Sequence, residues 1–314
     1  MEIEINENIS KNQDSLTLDV LPFKDHLKQE NCNRVILVKN IFENLPTGMK
    51  KSVIGNYIPI MIRNQTQKFI RDIAQKYIPE FEIDQMNTRK IIIHDLESNT
   101  KQIVPQVKPP TNAILAGPSG AGKSYMLFHI AYFCSQLEKW FVLYIPQFAD
   151  LRKQPSHKAA RFIVRNLYKL YKKELFEFYK FPYDEKLWDI ENPNENQKNQ
   201  MFQTCTNLLS NLTLGFFEKH HILIAIDQWN VLFRPKESKE SKEDEHVLDF
   251  FKVFRSIPNG LFITAVSSTF DPVDKLQDAD YVTYKQNVEL YNEMELESMI
   301  NHQKMLHYIP QKRD

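Results

Sequence analysis

Seven glycines are spread over 314 residues, and three of them, Gly117, Gly120 and Gly122, fall within one stretch of eight. That stretch, Gly117-Pro118-Ser119-Gly120-Ala121-Gly122-Lys123-Ser124, fits the pattern G-x-x-x-x-G-K-[ST] at every fixed position. Its surroundings fit as well. Asn112 to Ala116 reads as a short buried strand, and Tyr125 to Phe133 as the helix that follows. A glycine-rich turn between strand and helix lets backbone N–H groups face inward around an anion, with the positive end of the helix behind them. The spacing therefore predicts a nucleotide site. Gly117, Pro118, Ser119, Gly120, Ala121 and Gly122 wrap the phosphates, Lys123 reaches the terminal ones, Ser124 ligates Mg²⁺ and Tyr125 opens the helix beside them.

A second signature lies downstream. Ile222-Leu223-Ile224-Ala225-Ile226 is an apolar strand pattern that closes on Asp227. In a parallel sheet the carboxyl end of a strand opens on the crevice where ligands bind, so Asp227 is placed to hold Mg²⁺ through water. Its distance from Lys123 leaves room for an intervening strand and several helices, as in folds whose two motif strands are not neighbours. The next residue is Gln228, where many hydrolytic proteins of this fold carry a glutamate that activates the attacking water. An amide cannot accept that proton, and general-base help is worth about 10²–10⁴-fold. The expectation is tight binding with slow or absent hydrolysis. Ser267, Ser268 and Thr269, just past a predicted strand at 261–266, stand where a polar residue could sense a γ-phosphate.

The remaining chain reads as strands alternating with helices, which means a parallel α/β sheet with right-handed crossovers. Strands are predicted over 34–38, 140–145 and 281–290, and helices within 55–77, over 157–180, 196–217 and 247–256, and from Met294 onwards. In the first of these helices Ile60, Ile62, Phe69, Ile70 and Ile73 are the apolar candidates. Residues 1–33 read as an extended or adaptable polar arm, and 89–104 as a hairpin. Pro105, Pro109 and Pro110 set a boundary near 105–110. The division is an N-terminal extension (1–108), a P-loop α/β domain of the AAA+-like kind (109–292) and the start of a C-terminal helical segment (293–314). The charged stretch 234–245 has no core-forming residues.

Lys+Arg and Asp+Glu number 40 each, so the formal net charge is zero, which argues against a dedicated nucleic-acid binder. Locally, Arg161, Arg165, Lys169 and Lys173 recur every four residues along one predicted helix face, with no acid between Asp150 and Glu174. A face of one sign points to an anionic partner such as rRNA phosphate or an acidic protein. Cys32, Cys134 and Cys205 have no metal-ligand spacing and suit small apolar packing in a reducing compartment. His220-His221 lack matching ligands elsewhere. No apolar run is long enough to span a membrane, and the acidic opening residues lack the character of a transit peptide.

The run from Leu115 to Ser124, then Phe128 to Cys134, then Trp140 to Pro146, resembles the death-associated protein 3 family, nucleotide-binding subunits of the mitochondrial ribosomal small subunit. In that family the strand-end Asp is followed by a non-acidic residue and, three positions on, an Asn; here these are Asp227, Gln228 and Asn230. Asn259 to Ser267 is similar to the family's later core strand. The resemblance implies a structural ribosomal component in the mitochondrial matrix that binds a purine nucleotide, GTP/GDP or ATP, with Mg²⁺. It also implies small-subunit proteins as neighbours and bridges to the large subunit. The rival expectation is a signalling or remodelling P-loop ATPase or GTPase that uses hydrolysis as a switch.

Overall fold

The computed structural model describes residues 20–42, 44–77, 112–175, 179–181, 183–214, 220–233, 246–252, 257, 260–266 and 284–308. Two strands near the N-terminus, β1 (Val35–Lys39) and β2 (Tyr57–Met61), pair antiparallel with Ile36 opposite Ile60. The helix expected within 55–77 begins only at Asn64 and runs to Tyr77 (α2; the four-residue turn Thr47–Lys50 is α1). Ile60 is therefore a strand residue. Ile58, Ile60 and Ile62 are buried, and Ile58 and Ile60 are so in the ladder with β1, ahead of the helix that begins at Asn64.

Five strands form the main sheet: β3 (Asn112–Ala116), β4 (Trp140–Ile145), β5 (His221–Asp227), β6 (Gly260–Ala265) and β7 (Tyr284–Asn287). Their order is β4-β5-β6-β3-β7 and every pairing is parallel. The strand carrying the glycine loop, β3, and the strand ending in Asp227, β5, are thus separated by β6. This is the non-adjacent arrangement expected of an AAA+-like P-loop sheet. All residues of β3, β4 and β6 are buried, as a sheet covered on both faces requires. The last strand ends at Asn287, before the expected 290, and 281–283 lie outside the described residues.

Helix α3 (Lys123–Ser135) explains the N-terminal elements. Every residue from Met126 to Cys134 is buried, so it has no polar face to give to water. One side lies on the sheet, where Phe128 meets Tyr144 edge-on at 5.9 Å. Its other contacts come from residues ahead of the loop: Phe23 on Phe133, His26 on His129 and Phe42 on Phe128. Residues 20–31 are therefore not an adaptable arm. They form two 3-10 turns, Phe23–Leu27 and Gln29–Asn31, with Leu21, His26 and Leu27 buried.

Helices α4 (Phe148–Arg152), α5 (Ser156–Lys173), α6 (Glu185–Asp189) and α7 (Glu195–Thr213) follow β4. Phe141 packs on Tyr171 of α5, while Tyr144, an odd number of positions along the strand, packs on α3. Strand alternation sends these two rings to opposite faces, so α3 and α5 cover the sheet from opposite sides. Residues 247–252, within the helix expected over 247–256, form a 3-10 helix, and 253–256 lie outside the described residues. A last helix, α8 (Glu293–Tyr308), follows β7. The expected hairpin at 89–104, the 105–110 boundary and the 234–245 stretch lie outside the described residues.

Candidate nucleotide site

The glycine loop leaves β3 at Ala116 and turns into α3 at Lys123. Gly122 caps the helix with φ +83°, a left-handed conformation open to glycine, and a Cβ there would meet the Tyr291 hydroxyl at 2.3 Å. At the loop's entry a Cβ on Gly117 would meet the Val288 carbonyl oxygen at 2.3 Å. The exit from β7 thus presses against both ends of the loop, and the Val288 N–H donates to the Ala116 carbonyl at 2.7 Å. Lys123 Nζ donates to the carbonyls of Gly117 (2.8 Å) and Pro118 (2.7 Å), which keeps the ammonium inside the loop's curve. Burial pulls the Lys123 pKa below its ordinary value, and the nearby Asp227 charge opposes that.

Asp227 comes to the same place from β5. It is 5% exposed and accepts a hydrogen bond from the Ser124 hydroxyl and another, at 2.9 Å, from the Gln228 N–H. Burial raises its pKa to about 6, against the opposing pull of those two bonds and of Lys123. Ser124 and Asp227, far apart in sequence, thus meet as a hydroxyl and a carboxylate beside the loop. An all-oxygen donor pair suits Mg²⁺, which takes few protein ligands and keeps its waters or phosphate oxygens. Gln228 has φ +63° and an exposed position, and its backbone supports Asp227. Asn230 is buried, and Trp229 anchors the turn by donating from Nε1 to the Phe251 carbonyl at 2.9 Å.

The buried carboxyl gives the ligand-free protein a pH dependence of defined sign. Between about pH 4 and 6 folded Asp227 holds a proton that the unfolded chain has released. Its contribution to stability is present below pH 4 and lost as pH rises through 6, by on the order of 2–3 kcal/mol. In urea melts without nucleotide or Mg²⁺, Asp227→Asn is expected to gain stability over the wild type at pH 7 and to lose that advantage at pH 4.

Arg63 was not legible as a site residue. It stands two residues past the end of β2, is 4% exposed, and binds Glu295 through two bonds of 3.0 and 3.1 Å. It also donates to the carbonyls of Ala121 (2.7 Å), Glu289 (2.9 Å) and Leu290 (3.2 Å), with its guanidinium 4.3 Å from the Tyr291 ring centre. The only sequence signal was an arginine closing an apolar strand. Ala121 lies 58 residues away and the partners at 289–295 more than two hundred. Beside it a cavity of about 90 Å³ opens between β1, β2, Tyr125, Tyr291 and α8. His302 lines it, buried, with both ring nitrogens lacking a hydrogen-bond partner among the described residues.

Other expected site residues fall elsewhere. Ser267, Ser268 and Thr269 lie outside the described residues. The basic helix face is less uniform than its own sequence implies. Arg161 donates to the Ile190 carbonyl, Arg165 pairs with Asp189 at 3.1 Å, and Lys172 stands 4.0 Å from Glu185. The acids absent from α5 are supplied by α6, and Lys169 and Lys173 remain exposed. His220 bonds Tyr179 and His221 packs on Trp140. No group of metal-ligating side chains occurs among the described residues. Cys134 and Cys205 are buried free thiols.

No protein-family model matches the chain, and no curated protein matches it. Solved structures do. The ORC2 protein of Aeropyrum pernix aligns at 13% identity and TM-score 0.35, over 63% of this chain and 46% of that one. PCH-2 of C. elegans aligns at 15% identity and TM-score 0.34, over 88% and 54%. A chain of the HORMA:CdnC:Trip13 complex of E. coli MS115-1 aligns at 14% identity and TM-score 0.36, over 93% and 79%. The chain spans about half the length of the first two. The strand order and the loop carry the fold assignment by themselves.

Proposed function

We propose that this protein binds a purine nucleoside di- or triphosphate with Mg²⁺ and hydrolyses it slowly or not at all. The observation that carries the reading is the meeting of Ser124 and Asp227 beside Lys123 at the mouth of the loop. The loop would hold the phosphates, Ser124 and Asp227 would hold Mg²⁺, and the ion would neutralise phosphate charge. Tyr125, Tyr291 and His302 line the adjoining cavity, which offers flat rings and a polar ring edge to a base. Gln228 supports weak turnover, since no carboxylate follows Asp227 to take a proton from water.

In this reading the nucleotide is a folding ligand. At about 1,000 times its Kd a ligand adds about 4 kcal/mol to stability by mass action. The likeness of the loop, the Trp140–Pro146 strand and the Asp227/Asn230 pair to the death-associated protein 3 family extends the proposal to a structural place in the mitochondrial ribosomal small subunit. Gradient sedimentation of gently lysed source mitochondria tests that extension. Comigration with the small subunit at moderate and high salt is expected. A pool sedimenting near its own 37.2 kDa, with steady-state turnover at or above about 1 s⁻¹, would favour a hydrolytic switch instead.

A further inference from the structure

Ala121 sits between Gly120 and Gly122, both at positive φ, on the turn that shapes the loop. Its carbonyl oxygen is held at 2.7 Å by Arg63 Nη1. The peptide joining Ala121 to Gly122 is planar and trans, so its C=O and its N–H point in opposite directions. Pinning the carbonyl on the Arg63 side therefore aims the Gly122 N–H the other way. Arg63 is itself fixed by four other acceptors. Two are the oxygens of Glu295, which also closes a reciprocal cap at the start of α8: the Asn292 N–H donates to Glu295 Oε2 at 3.0 Å and the Glu295 N–H to Asn292 Oδ1 at 2.9 Å. The other two are the carbonyls of Glu289 and Leu290 past β7.

We propose that Arg63 is a positioning residue for phosphate binding: by holding the Ala121 carbonyl outward it presets the inward N–H of the loop and locks that geometry to the first turn of α8. The inference rests on the nucleotide reading above. Side chains contributed from before β3 and after β7 thereby act on a loop they do not belong to. An ammonium in place of the guanidinium has three donors and no planar fork, so it cannot serve the Glu295 carboxylate and the three carbonyls together.

The test is calorimetric titration of the full chain with Mg²⁺ and the mono-, di- and triphosphates of guanosine and adenosine. Arg63→Lys and the charge-balanced Arg63→Met/Glu295→Leu variant would be measured beside the wild type. Arg152→Met serves as a control, since it breaks a largely buried pair with Asp249 (2.7 Å) away from the loop. Triphosphate affinity is expected to fall about tenfold in Arg63→Lys and about tenfold or more in the double variant, the size of one lost charge-assisted bond. The loss should grow from mono- to diphosphate. A purely structural role would lower the melting temperature of both Arg63 and Arg152 variants without that phosphate dependence. A folded double variant binding triphosphate within about twofold of wild type would overturn the proposal; should it not fold, the same result with Arg63→Lys would. A wild-type chain that binds none of the six nucleotides would instead overturn the nucleotide reading, and this inference with it.

Discussion

Replacing Lys123 by alanine is expected to weaken Mg²⁺-nucleotide binding by about 100-fold or more, while the ligand-free protein melts close to the wild type. The asymmetry follows from where the ammonium stands. Among the described residues it donates to two loop carbonyls, Gly117 and Pro118, and it is half-buried, while Asp227, the carboxyl it faces, keeps its bonds from the Ser124 hydroxyl and the Gln228 N–H when the ammonium is removed. Against phosphates the same group makes charge-assisted bonds worth about 1.5–3 kcal/mol each, and 1.4 kcal/mol is tenfold in Kd. Equilibrium titration with a fluorescent nucleotide analogue reads the affinity, and a thermal melt without nucleotide reads the fold. Affinity unchanged within threefold would mean the phosphates do not sit on this loop.

The second large effect concerns acid. His26 and His129 join the N-terminal turn to α3, with His26 Nδ1 3.2 Å from His129 Nε2 and His26 Nε2 3.2 Å from the Leu21 carbonyl. The carbonyl requires a proton on His26 Nε2, so His26 Nδ1 accepts and His129 Nε2–H donates. Both rings are then neutral. A second proton on either would be buried, and burial lowers His26 to about 4 and His129 well below its ordinary value. Asp25 is the acidic neighbour of His26 and only partly offsets that; toward His129 the charged neighbour is His26 itself.

A depressed histidine pKa contributes stability above the unfolded value of 6.5 that is lost as pH falls toward the folded value. At pH 5 this amounts to about 2 kcal/mol per histidine. Asp227 works in the opposite sense over part of the same range, so the comparison is best made in an Asp227→Asn background. There, stability should drop by about 4 kcal/mol from pH 7 to 5, and His26→Phe/His129→Leu should abolish most of the drop. An equally steep acid loss in that variant would place the sensitivity elsewhere.

The features legible in the sequence were those that repeat locally. The glycine spacing, the apolar strand closing on Asp227 and the alternation of strands and helices each fit within a short window, and the parallel sheet followed from them. What escaped depended on partners distant in sequence. Arg63 was invisible because Ala121, Glu289 and Glu295 become its neighbours only in the fold. The α5 basic face looked unopposed because its counter-charges, Asp189 and Glu185, sit on a five-residue helix too short for periodicity to mark. Residues 20–31 read as polar chain, yet few apolar side chains suffice when one buried helix needs a cover.

The approach of Val288 to Gly117 and of Tyr291 to Gly122 carries a consequence for how the molecule is made. Synthesis delivers the loop more than 150 residues before the segment that flanks it. A nascent chain can form β3, β4 and β5 early, but the walls of the phosphate loop arrive with β7 and α8. On the proposed nucleotide reading, capture would follow the commitment of most of the hydrophobic sheet. A chain halted before residue 284 would display the whole motif and still lack the surroundings that shape it.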